Sequence, residues 1–168
     1  VVATTISGQG SIPETHPLGL GVVGSNGGVI ETRAVVEKAD LVFFIGCRAG
    51  SVTTERWQFP APGSAKVVHL DIDPAVIGAN YETAAALVGD ARLGLAAIAD
   101  AVTELAPKQV REAKAVVENA KSAKYAAFNA LAESNETPIK PERVVATLRR
   151  LLDDDAIIVA DPGTPCPY

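Results

Sequence analysis

The chain has 168 residues, 48% of them hydrophobic and 21% charged, and its formal net charge is -5. That balance excludes the basic footprint of a nucleic-acid binder. No run reaches the roughly 18 apolar residues of a membrane span, and no basic leader marks a secretory signal. Two cysteines, Cys47 and Cys166, make neither a disulfide framework nor a zinc spacing, so a reducing cytoplasm is the expected compartment. The chain contains no Met, starts inside the apolar run Val1 to Ile6 and stops at Tyr168. It reads as a piece of a longer protein.

In chain order, Val1 to Ile6 reads as a strand, and Ser7 to Pro13 as a turn-rich loop. Residues 16–28 hold Gly19, Gly21, Gly24, Gly27 and Gly28 and read as a loop shaped for close backbone approach. Glu31 to Ala39 has helical periodicity, with Val35, Val36 and Ala39 on one face. Leu41-Val42-Phe43-Phe44-Ile45-Gly46 and Val67-Val68-His69-Leu70-Asp71-Ile72 are apolar runs without alternation. Such runs suit strands of a parallel sheet covered on both faces. Between them, 49–65 is irregular, with Trp57 and Phe59 as candidate packing anchors.

Asp73-Pro74 predicts the start of a short helix. Leu87 to Asp90 reads as a short strand, and Leu93 to Leu105 as an amphipathic helix ended by Pro107. Lys108 to Glu133 predicts a long helix whose narrow apolar stripe suits a partly exposed connector. Pro141 to Leu152 predicts another helix, with Val144, Val145, Leu148 and Leu151 as its buried side, and Ala156 to Ala160 a strand. The expected fold is α/β: a parallel, Rossmann-like sheet of six-strand type with helices on both faces. The expected divisions are 1–106, a linker helix over 107–134, and the start of a further domain over 135–168.

Ligands of open α/β sheets sit at the carboxyl ends of the strands. There this chain offers Gly46 and Arg48, then Asp71, then Asp90. Arg presents a planar fork to phosphate, and a carboxylate suits ribose hydroxyls. The competing readings are a surface ion pair for Arg48 and helix caps for Asp73 and Asp90. Gly8-Gln9-Gly10 follows a strand, but Pro13 stands where a dinucleotide loop needs its third Gly. His16 and His69 have no visible acid or metal partner and read as structural. No Ser/His/Asp pattern appears.

The ordered set His16-Pro17-Leu18-Gly19, Ala39-Asp40-Leu41-Val42, Gly46-Cys47-Arg48, His69-Leu70-Asp71-Ile72-Asp73-Pro74 and Val88-Gly89-Asp90-Ala91 resembles the central domain of thiamine-diphosphate-dependent enzymes. That group includes acetolactate synthases, pyruvate oxidases and oxalyl-CoA decarboxylases. The resemblance covers residues 1–105, and Ile157 to Pro165 looks like the first strand and loop of the family's C-terminal, diphosphate-binding domain.

The resemblance implies a parent of three α/β domains that makes or breaks a C–C bond beside the carbonyl of a 2-oxo acid or acyl substrate. It implies thiamine diphosphate and Mg held mainly outside this chain, no catalytic residue or metal ligand within it, and a homodimer or homotetramer. It also implies that the chain starts at the domain's second strand and is inactive alone. Family positions for FAD or ADP fall on Thr5, Ile6, Ser7, Asn26, Gly27, Gly46, Arg48, Asp71, Ile72, Asp90 and Ala91; Gly163 and Thr164 fall near the thiamine cofactor. Flavin-binding members often continue Gly-Ala-Arg-Phe-Asp-Asp-Arg, whereas this chain reads Gly46-Cys47-Arg48-Ala49-Gly50-Ser51-Val52 and lacks the second Arg. FAD, an ADP-like ligand or an empty site therefore stand open. A stand-alone nucleotide-binding domain or an NAD-dependent deacylase is the alternative from another class. Such deacylases usually carry a four-Cys zinc site, which two Cys cannot build. A scaffold domain without ligand is the third reading.

Overall fold

A computed structural model describes residues 1–105 and 112–159. The order of elements is β1 (Val2–Thr4), a 3-10 turn (Ile6–Gly8), β2 (Gly19–Val22), α1 (Ile30–Glu37), β3 (Leu41–Ile45), β4 (Lys66–Asp71), β5 (Ala85–Val88), α2 (Ala91–Leu105), α3 (Ala113–Ala132) and α4 (Pro141–Leu151). All pairings are parallel. β1 pairs with β2, and β3, β4 and β5 form a second sheet with β4 in the centre. The α/β class is the one the sequence predicts. The strands of the described residues, however, form a two-stranded and a three-stranded sheet rather than one six-stranded sheet.

β4 carries the core because its two faces are both used. Side chains alternate across a strand. Val67 and His69 face one side, where Phe44, Ala49 and Tyr81 bury them. Leu70, 1% exposed, faces the other. There α2 comes so close that a Cβ on Gly94 would lie 3.0 Å from Leu70 Cδ2. Gly94 is thus the contact that lets helix and strand touch. α2 begins where Asp90 accepts the amide of Leu93 at 3.0 Å, a side-chain cap for an otherwise orphaned N–H. α1 begins differently: Thr32 Oγ1 accepts from Val29 N at 3.1 Å and donates to Val29 O at 3.0 Å.

Four local expectations give way. First, β2 lies inside the glycine-rich stretch. All four of its residues are buried, and pairing with β1 supplies what glycine's weak strand propensity does not. Second, Asp73 caps Ala75 N at 2.9 Å, but the chain after it makes turns and no helix. Third, α4 has the predicted span and its Pro at the first turn, yet Val144, Val145, Leu148 and Leu151 are 38–77% exposed, and its buried residue is Glu142. Periodicity defines an apolar face and does not say what covers it. Fourth, residues 156–159 form no strand and stand exposed. Val117 of α3 is buried and the rest of that helix is largely open. No helix among the described residues is long and apolar enough to cross a membrane.

Candidate functional site at the strand ends

Parallel pairing delivers the ends of β3, β4 and β5 to one edge. Gly46 N donates to Leu70 O at 2.9 Å, and Gly89 N donates to Asp71 O at 2.9 Å. The ladder therefore runs on into both exit loops and sets them side by side. Gly46 turns the chain with φ +57° in open space, a left-handed conformation that suits glycine.

Beyond Gly46 the loop is held by its carbonyls. His69 Nε2 lies 2.9 Å from Cys47 O, and Asn80 Nδ2 donates to Arg48 O at 2.8 Å. The Arg48 side chain is exposed, and among the described residues no carboxylate pairs with it. Asp71 is half-buried and spends one carboxylate oxygen on Asp73 N at 3.0 Å. A carboxylate has a second oxygen to offer. Ile72 is 71% exposed beside it, an apolar surface at the same edge. Asp90 is the cap of α2, and Ala91 is that helix's first residue. Of the helix's first four amides, those of Leu93 and Gly94 are taken by the side chain and carbonyl of Asp90, which leaves those of Ala91 and Arg92 without an intrahelical partner.

The remaining candidates gather at the ends of β1 and β2. Thr5 Oγ1 accepts from Gly8 N at 3.0 Å and shapes the turn that carries Ile6 and Ser7. Gly27 has φ +111°, and a Cβ there would meet Val22 Cγ1 at 3.0 Å and Ile6 Cδ1 at 3.9 Å. Ile6 and Gly27 are thus neighbours, with Ser7 and Asn26 exposed next to them. The two groups are joined by backbone. Ser25 N donates to Val52 O at 2.8 Å, and Gly24 lies so close that a Cβ would fall 2.5 Å from the same oxygen. Gly163 and Thr164 lie outside the described residues.

Sequence reasoning missed Asn80, Thr54 and Tyr81. Each acts through a partner distant in sequence, and no local pattern announces that. Tyr81 is 7% exposed and donates to Pro60 O at 2.9 Å. Burial raises its phenol above the ordinary value, with the Thr54 hydroxyl pulling the other way. A raised value in the folded chain means that the stability Tyr81 contributes is complete below pH 10 and falls as pH rises above that. We therefore expect alkaline unfolding monitored by circular dichroism to be shallower in Tyr81→Phe between pH 9.5 and 11.5 (roughly, the window around an ordinary tyrosine). His69 is structural, as its 3% exposure and carbonyl contact show. Trp57 is no anchor at 40% exposure, while Phe59 packs under Arg33 at 5.2 Å.

Among the described residues no three His, Cys, Asp or Glu side chains converge on a point that could hold a metal ion.

Comparison with known proteins defines the family. The family model described as "Thiamine pyrophosphate enzyme, central domain" matches residues 1–98. A probable acetolactate synthase large subunit of Methanocaldococcus jannaschii is 34% identical over 168 residues, covering 96% of this chain and 27% of the relative. Acetolactate synthase isozyme 3 large subunit of Escherichia coli is 30% identical, with 96% and 28% covered. The putative thiamine pyrophosphate-containing protein YdaP of Bacillus subtilis is 30% identical, with 97% and 27% covered. The chain spans about a quarter of the length of these relatives. With the model matching more than half of its residues, the chain belongs to the thiamine pyrophosphate enzyme family, of which residues 1–98 are the central domain.

Proposed function

We propose that this chain is the nucleotide-holding middle portion of an acetolactate-synthase-like enzyme. The enzyme joins or cleaves a C–C bond beside the carbonyl of a 2-oxo acid. Thiamine diphosphate, with Mg, supplies the carbanion chemistry when bound, and the protein supplies position and electrostatics. The described residues contribute a scaffold and an adenine-nucleotide edge rather than reacting groups.

One observation supports the edge above others. Arg48, Asp71 and Asp90 emerge from three adjacent parallel strands at the same end, with Arg48 exposed and without a carboxylate partner among the described residues. Arg48 would hold phosphate, Asp71 the ribose hydroxyls, and exposed Ile72 the base. ADP fits better than FAD, because Ser51 and Val52 stand where flavin-binding relatives place further polar and basic residues. In cells the expected setting is the cytoplasm, within a dimer or tetramer of the longer protein.

The division of labour is testable with pyruvate. The longer protein, given thiamine diphosphate and Mg2+, should release CO2 and form an acetolactate-type product, and the 168-residue chain alone should form none. Turnover by the chain alone would place the reacting groups within it and sink this reading.

A further inference from the structure

The loop between β3 and β4 contains a strained turn that the nucleotide edge alone does not explain. Glu55, Arg56 and Trp57 have φ of 50°, 58° and 59°, three successive non-glycine residues in the left-handed region. There each Cβ crowds the carbonyl that follows. Such strain persists only where the surroundings impose it. Here the imposing contacts are visible. Thr54, 1% exposed, donates from Oγ1 to Gly50 O at 3.0 Å and accepts from Trp57 N at 3.0 Å. Arg56 N donates to Ser51 O at 2.7 Å, and Phe59 N to Thr54 O at 3.0 Å. From outside the loop, Arg33 of α1 grips Glu55 with both ends of its fork, Nε to Oε1 at 2.9 Å and Nη2 to Oε2 at 2.7 Å. The same guanidinium covers the Phe59 ring. The pair is largely shielded, with side-chain exposures of 30% and 17%.

The placement of this turn gives it a role. The loop leaves Arg48 at one end, and its Val52 carbonyl receives Ser25 N from the loop that carries Asn26 and Gly27. It is therefore the segment that joins the two halves of the strand-end edge. We infer that Arg33 and Glu55 are positioning residues for nucleotide binding: their bidentate pair clamps the left-handed turn and so holds the two half-sites in one register. This inference rests on the nucleotide reading above. Neither residue needs to touch the ligand.

The test is a calorimetric titration of the full 168-residue chain with ADP, alongside hydrogen exchange of the Arg56 and Phe59 amides without nucleotide. Glu55→Gln keeps the size of the side chain and loses the ion pair. It should weaken ADP binding about tenfold, as lost pre-organisation does, and should speed exchange at both amides. Arg56→Gly relieves strain at an exposed side chain that makes no hydrogen bond or ion pair among the described residues, and should raise Tm by a few degrees (roughly, for a domain of this size). In that background Glu55→Gln should cost distinctly less affinity, a rescue that a merely structural ion pair would not show. ADP binding that is unchanged in Glu55→Gln overturns the clamp alone. Faster exchange without any loss of affinity overturns it too, as does an equal loss in both backgrounds. No ADP binding by the unsubstituted chain overturns the nucleotide reading itself and the clamp with it.

Discussion

Gly24→Ala should destabilise the chain by about 3 kcal/mol, the sum of an overpacking cost and a strained φ. The residue has φ +98°, where an L side chain is strained whatever the space. Its added Cβ would also fall 2.5 Å from Val52 O and 2.8 Å from Thr53 O, both backbone atoms that cannot swing aside. Relief requires separating the loop after β2 from the loop after β3. That separation breaks the Ser25 N to Val52 O bond and uncouples the two half-sites. Urea denaturation should therefore show a lower midpoint, and ADP affinity should fall further than stability alone explains. Gly10→Ala is the control. It shares a positive φ of +87° but meets nothing within 4 Å, so only the backbone term of about 1 kcal/mol applies. Equal effects of the two substitutions would show that the close approach at Gly24 does not matter.

Arg48→Ala should weaken ADP binding ten- to a hundredfold, since a hydrogen bond to a charged group is worth about 1.5–3 kcal/mol. The fold should not notice. The side chain is exposed, and the loop is anchored by the carbonyls of Cys47 and Arg48 through His69 and Asn80, not by the guanidinium. Arg48→Lys should recover only part of the affinity, because an ammonium lacks the two-pronged geometry that matches phosphate. Asn80→Ala should act on the same site from behind. It frees the Arg48 carbonyl and lets the loop drift, so affinity should drop without loss of any charge. Calorimetry should place Arg48→Ala as the weakest binder and Arg48→Lys between it and the unsubstituted chain, with Asn80→Ala also below the unsubstituted chain. Unchanged affinity in Arg48→Ala would remove this residue from the site.

These outcomes rest on features of unequal legibility. The runs at 41–45 and 67–71 could be read as parallel strands because they are largely apolar until the strand ends, and the structure pairs them so. Only β4 is mostly buried: in β3 Leu41 and Ile45 are exposed and Phe44 alone is buried, so the expected cover on both faces is not seen there. The strand-end carboxylates and Arg48 followed from the same logic. β2 was hidden because glycine carries no strand signal of its own, and only its partner β1 makes Gly19–Val22 a strand. The face of α4 was legible as a pattern, but its exposure depends on what lies against it, which no helical period encodes. The left-handed turn at 55–57 was invisible. None of Glu55, Arg56 and Trp57 is a residue that seeks positive φ, and the Arg33 that holds it lies 22 residues away in sequence.

The central claim is that one adenine nucleotide lies across the ends of β1 to β5, and amide chemical shifts test it most directly. Titrating ADP into the 15N-labelled chain should move the amides of Gly46, Arg48, Ile72 and Ala91 together with those of Asn26 and Gly27, along one binding curve, and leave α3 and α4 still. No shifts, or shifts confined to residues away from the strand ends, would contradict it.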